Sequence, residues 1–231
     1  MSICRRRTAV CILLACTLSA LAGGCALFGL AAYAAPDPTV DASYKNLAHQ
    51  KVAVMVWTDR AMSIDWPNLQ LDLGRGIVSR LQQNASQKDP PKELLGAQIA
   101  AAESVVRFQR DHPETETQAI TDVAPRMDVT RLIYIEVTQF STRPDESMEL
   151  FRGSLTGNLK VLEISNGHAK VAYQVDNMKV VFPSKSPDEG LPGLGDVQVY
   201  EKTLQAFSTK VVNQFIPHTE PRDDELVKAG S

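Results

Sequence analysis

Three carboxylates, Asp59, Asp65 and Asp72, follow one another closely after the first apolar run of the chain. Acid–base hydrolysis needs carboxyl groups held near one another in different protonation states. In open α/β sheets ligands settle beyond the carboxyl ends of strands, which is where this stretch falls. The same segment carries Trp57, Met62 and Trp66, residue types that build apolar contact surfaces. Three readings therefore compete for residues 57–72: carboxylate chemistry, a small-ligand sensor loop, or a surface that grips a partner. A plainer reading makes the tryptophans core residues that frame a loop capped by an aspartate, and it is the favoured one for that stretch.

Other chemistry is sought without success. His49, His112, His168 and His218 fall in loops or at segment ends, with no two at metal-ligand spacing. No G-x-S-x-G elbow or Walker loop occurs. Gly190-Leu191-Pro192-Gly193-Leu194-Gly195 precedes a helical pattern, but Pro192 removes an amide donor and no lysine follows where a phosphate cradle needs one. No catalytic residue, metal site or cofactor is therefore expected.

The cysteines are informative by position. Cys4, Cys11, Cys16 and Cys25 all lie at the start, and the rest of the 231 residues contains none. The globular part then has no disulfide, thiol nucleophile or thiolate metal site. Arg5, Arg6 and Arg7 precede an uncharged stretch from Thr8 to Ala35, the pattern of an export signal. Leu21-Ala22-Gly23-Gly24-Cys25 resembles a bacterial lipobox, which makes Cys25 the lipidated first residue of the mature chain. Two alternatives stay open: cleavage after Ala34 at Ala32-Tyr33-Ala34, and retention of the stretch as a membrane span. The whole chain carries −3. Without Arg5, Arg6 and Arg7, 21 basic residues face 27 acidic ones, about −6, which disfavours a nucleic-acid partner.

These observations divide the chain into a signal with lipobox (1–24), a lipidated start and tether (25–43), one α/β domain (44–216) and a flexible tail (217–231). Lys51 to Trp57 reads as a strand covered on both faces. Leu69, Leu73, Ile77 and Leu81 form one helical stripe, with Asp65 or Asn68 as its cap. Ser104 to Phe108 reads as a brief strand, and Thr115 to Met127 as a helix that Pro125 ends or kinks. Arg131 to Phe140 is the strongest strand. Phe151 to Ile164 and Lys170 to Phe182 form a hairpin about Asn166-Gly167. Val197 to Phe215 closes the domain with Tyr200, Leu204, Phe207, Val211 and Phe215 on one face, Asp196 as cap and Pro217 as stop. The expected fold class is α/β, a mixed sheet packed with helices in a three-layer sandwich, order β-α-(β)-α-β-β-β-α.

Tyr44-x-x-Leu47, then Lys51-Val52-Ala53-Val54, a helix, the Asp128-to-Val137 stretch and a long hairpin after Phe151 stand in a familiar order. The chain from 44 to 215 resembles the CsgG/LpoB-like envelope lipoproteins, related to curli secretion and penicillin-binding-protein activation. The resemblance implies an α/β sheet fold, exposure to the periplasm and work done by contact with other envelope components. It carries neither named activity with it. Lys160, Asp176 and Lys179 would face lipid if the hairpin lined a pore, so pore formation is not expected. Ala26, rather than Asp, follows Cys25, which by the same resemblance favours the outer membrane. The expectation is a non-enzymatic, lipid-anchored periplasmic protein that binds or helps assemble another envelope protein.

Overall fold

The computed structural model describes residues 38–144 and 149–220. Cys25, the signal and most of the tether lie outside them. Seven strands and five α-helices are present among the described residues. The strands are β1 (Thr39–Val40), β2 (Lys51–Thr58), β3 (Gln98–Ile99), β4 (Arg131–Ser141), β5 (Gly153–Ser165), β6 (His168–Phe182) and β7 (His218–Thr219). The helices are α1 (Arg60–Asp65), α2 (Leu69–Ala85), α3 (Ala102–Asp111), α4 (Ile120–Val123) and α5 (Asp196–Val212).

The larger compact unit, Val40–His218, is built on a five-stranded sheet of order β3-β2-β4-β5-β6. β2 is parallel to both β3 and β4, because the chain crosses over through helices on each side. β4, β5 and β6 are antiparallel, because hairpins join them. The second unit includes, among the described residues, Pro38 and Glu220; the Glu220 amide donates to Pro38 O at 3.3 Å. β1 and β7 pair as a two-stranded sheet. The end of the expected tether and the start of the expected tail are therefore strands.

Side-chain alternation along β2 divides the core. Val52, Val54 and Val56 face α2 and α5, together with Ile133, Ile135 and Val137 of β4. Ala53 and Met55 face the other way, with Leu132, Leu162 and Val105 of α3. Both faces of β2 are thus covered, which is why its sequence is apolar without a break. Leu69, Leu73, Ile77 and Leu81 are all fully buried. Each such leucine or isoleucine contributes about 1.5–3 kcal/mol on leaving water. The three-layer α/β architecture and its element order stand as expected.

Three local expectations are corrected. Ser104–Phe108 lies within helix α3; Ala102, Val105 and Phe108 pack inward at helical spacing, and the strand is Gln98–Ile99. Thr115–Met127 is broken into a 3-10 turn, the short α4 and a second 3-10 turn that contains Pro125. Asp196 is the first residue of α5 and Gly195 stands at the cap, so the Asp196 side chain is free to bind elsewhere. At the β5–β6 turn Asn166 and Gly167 take φ of 52° and 76°, the left-handed pair that a two-residue hairpin requires.

Candidate functional site

The stretch that follows β2 turns twice before α2 begins. Asp59 Oδ1 accepts the Met62 amide at 2.7 Å and caps α1. Ser63 Oγ donates to Asp59 O at 2.8 Å and also meets Thr58 Oγ1 at 2.8 Å, which ties the helix to the strand end. The Trp66 amide donates to Met62 O at 2.8 Å, and Trp66 O accepts the Leu69 amide at 3.0 Å. Trp66 is thereby pinned at the corner between α1 and α2. Asn68 stands at the α2 cap without a side-chain capping bond.

From that corner the indole packs into an aromatic cluster. Its ring lies 4.8 Å from Phe140 of β4, edge to face, and 5.7 Å from Tyr200 of α5, stacked. Phe140 and Tyr200 meet edge to face at 5.5 Å. Such pairs contribute about 0.5–1.5 kcal/mol beyond the area they bury. Tyr200 donates its hydroxyl to Asp72 Oδ2 at 3.0 Å. Burial, and then the Asp72 carboxylate, raise the Tyr200 pKa and keep the phenol protonated.

This cluster closes one end of an open groove between α2 and α5, about 890 Å³ in volume. Asp72, Ser79 and Arg80 line it from α2, and Tyr200, Leu204 and Gln205 from α5. At its floor the helices approach closely: a Cβ on Gly76 would stand 2.7 Å from Ser208 Oγ. At the mouth, Val197 is 71% exposed, a large apolar side chain left to solvent. Arg143 Nε donates to Asp196 Oδ1 at 3.0 Å, and Thr142 Oγ1 donates to the same oxygen at 2.9 Å. The Arg143 guanidinium holds the Asp196 carboxyl below its usual range, and this outweighs the opposing effect of burial.

The structure separates residues that the sequence set side by side. Met62 and Trp66 pack on the α2–α5 face of the sheet. Trp57 lies on the other face and lines a second cavity, with Met55 and Tyr134. The pleat is the reason, since successive residues of β2 point to opposite sides. Asp59, Asp65 and Asp72 are likewise given different surroundings. Asp59 is a helix cap, Asp65 is exposed at the end of α1, and Asp72 accepts from Tyr200. Phe140, Tyr200 and Arg143 were missed as partners of Trp66 and Asp196. Tyr200 was legible as a residue on a buried helix face, but nothing local said what it would touch. Among the described residues no group of three or more His, Cys, Asp or Glu is placed to hold a metal ion. No helix among them is long and apolar enough to cross a membrane.

No family model and no curated protein matches the chain. Among solved structures it is similar to lipoprotein GNA1162 of Neisseria meningitidis, at 12% identity over 71% of this chain and 96% of that one, TM-score 0.41. It is also similar to a single-substitution variant of the PelC dodecamer of Paraburkholderia phytofirmans, at 9% identity over 79% and 98%, TM-score 0.43. A third is the hypothetical protein CT253 of Chlamydia trachomatis, at 16% identity over 72% and 97%, TM-score 0.39.

Proposed function

We propose that the chain is a lipid-anchored envelope protein without catalysis of its own, which binds or helps assemble another envelope protein through the α2–α5 groove. The observation that carries this reading is the groove itself, open along its length, with a rigid aromatic end and an exposed Val197 at its mouth. Small-molecule sites are enclosed, whereas partner surfaces are open and place aromatics among polar rims. The lipobox supports anchoring at Cys25, with the domain facing the periplasm and the outer membrane as its address. The separate engagements of Asp59 and Asp72 favour binding over hydrolysis by these carboxylates.

A photo-crosslinking residue at Gln205, on the groove rim, tests the docking in intact cells. The same residue at Arg107, on α3, serves as the control. A discrete envelope adduct from Gln205 alone, lost in Trp66→Ala, is the expected outcome. Equal labelling from both positions counts against the groove. Anchoring is read separately: the wild-type chain should be found in the membrane fraction with a lipid mass on Cys25, and Cys25→Ser should lose both.

A further inference from the structure

The second cavity, none of whose lining residues belongs to the docking groove, lies beside the carboxyl end of β2 and the middle of β4. Its volume, about 720 Å³, suits a small molecule, and it is more enclosed than the groove. Trp57 of β2 forms one wall, half-buried, and its indole makes no ring contact among the described residues. An apolar aromatic face is thus presented to the cavity.

Three polar groups share this interior and are not satisfied by the protein. Gln109 of α3 donates its Nε2 to Val56 O at 3.0 Å. A carbonyl can only accept, so the orientation of the amide is fixed. Its Oε1 is then buried with no donor of its own. Buried acceptors in that state are uncommon and ask for a reason. Tyr134 of β4 is half-buried, and its hydroxyl has no partner among the described residues. Burial, followed by the nearby Glu136 charge, pushes its pKa up to about 12, so it remains a donor. Glu136 Oε2 accepts from Asn158 Nδ2 at 3.2 Å, and its other oxygen is uncommitted among the described residues. The remaining charges, Arg60, Arg110 and Glu116, stand exposed at the rim, where water screens them.

The interior thus combines an aromatic face, a hydroxyl donor, an amide acceptor and a carboxylate acceptor. An anionic ligand would meet the Glu136 carboxylate without a buried cation to offset it. A sugar ring suits the set better. Its hydroxyls both donate and accept, and its C–H face, slightly positive, matches the negative face of an indole. We propose that this cavity is a binding site for a neutral saccharide, with Trp57 stacking on the ring and Gln109 and Glu136 accepting from its hydroxyls.

The test uses the full chain, with N,N′-diacetylchitobiose and maltose as neutral probes and inorganic phosphate as the anionic one. Saturation-transfer NMR on the wild-type protein should show contact to the ring protons of at least one disaccharide, with binding that saturates at millimolar concentration. Gln109→Leu, checked for fold by circular dichroism, should weaken it about tenfold. Trp57→Phe should weaken it less, and Lys202→Ala, exposed on α5 and outside both cavities, should leave it unchanged. The site is overturned if neither disaccharide saturates, if phosphate binds in their place, or if Gln109→Leu binds as wild type. Such a failure leaves the docking groove standing, because the two sites share no lining residue.

Discussion

Tyr200 of α5 reaches across the groove and donates its hydroxyl to the Asp72 carboxylate of α2 at 3.0 Å. The bond joins two helices that are far apart in sequence, and it does so at the edge of the aromatic cluster. Tyr200→Phe keeps the ring stack and removes only the bond. Asp72 is half-buried, so the loss is set at about 1–2 kcal/mol, the lower range for a bond to a charged group. Urea denaturation of Tyr200→Phe, Asp72→Asn and the double variant should give a coupling of about 1 kcal/mol. Additive effects would mean that the two side chains act independently.

The floor of the groove makes a sharper demand. Gly76→Ala gains helix propensity worth about 1 kcal/mol. It also places a methyl 2.7 Å from Ser208 Oγ, in a packed interior. Overpacking dominates, and a net loss of about 1–2 kcal/mol is expected. In a Ser208→Ala background the close atom is gone, and the next contact is the Ser208 Cβ at 3.6 Å. There Gly76→Ala should be neutral or stabilising, which thermal unfolding of the four proteins would decide.

Asp196 predicts a pH dependence. Its pKa is lowered in the folded chain, by Arg143 first and with Thr142 adding to it. A lowered carboxyl pKa contributes stability that is fully present above the ordinary value, about 3.9, and lost as pH falls through the folded value. The gap in Tm between wild type and Asp196→Asn should therefore be flat from neutral pH down to about pH 5. It should narrow below pH 4. The pair is largely exposed, so the gap should also shrink in high salt. A gap that widens in acid would contradict the assignment.

Much of the fold was legible because single residues had to satisfy one environment. β2 reads as a doubly covered strand because every position from Val52 to Val56 is buried. The hairpin reads from Asn166-Gly167 because few other residues accept two consecutive positive φ angles. Ser104–Phe108 misled because Val105 and Val106 favour strands locally, while the helical spacing of Val105 and Phe108 decides the matter only once a sheet face is there to receive them. β3, two residues long, is too short to carry a period.

The site was harder to read than the fold. Trp57 and Trp66 look like one surface along the chain, yet strand alternation and the turn through α1 send them to opposite faces. Asp72 could be seen as an acid near a helix start, but Tyr200, its partner, stands 128 residues away. Asp196 had the residue type of a cap, and Arg143 claimed its carboxylate instead. Contacts of this kind are set by tertiary placement, which no local spacing encodes.

β6 forms one free edge of the main sheet and is its longest strand. A long edge is a template on which another chain can add a strand. Here the template is spoiled in several ways at once. Its pairing with β5 slips twice, at Gly157/Leu159 and at Val161/Leu162, and Asn177 takes a φ of 53°. Lys210 of α5 donates to Lys179 O at 2.8 Å and occupies one of its backbone acceptors. Lys170, Asp176 and Lys179 add charge along the strand. Copies that meet edge to edge therefore find no unbroken row of backbone groups on which to zip into a shared sheet. The fold is colloidally inert along the longest margin of its sheet.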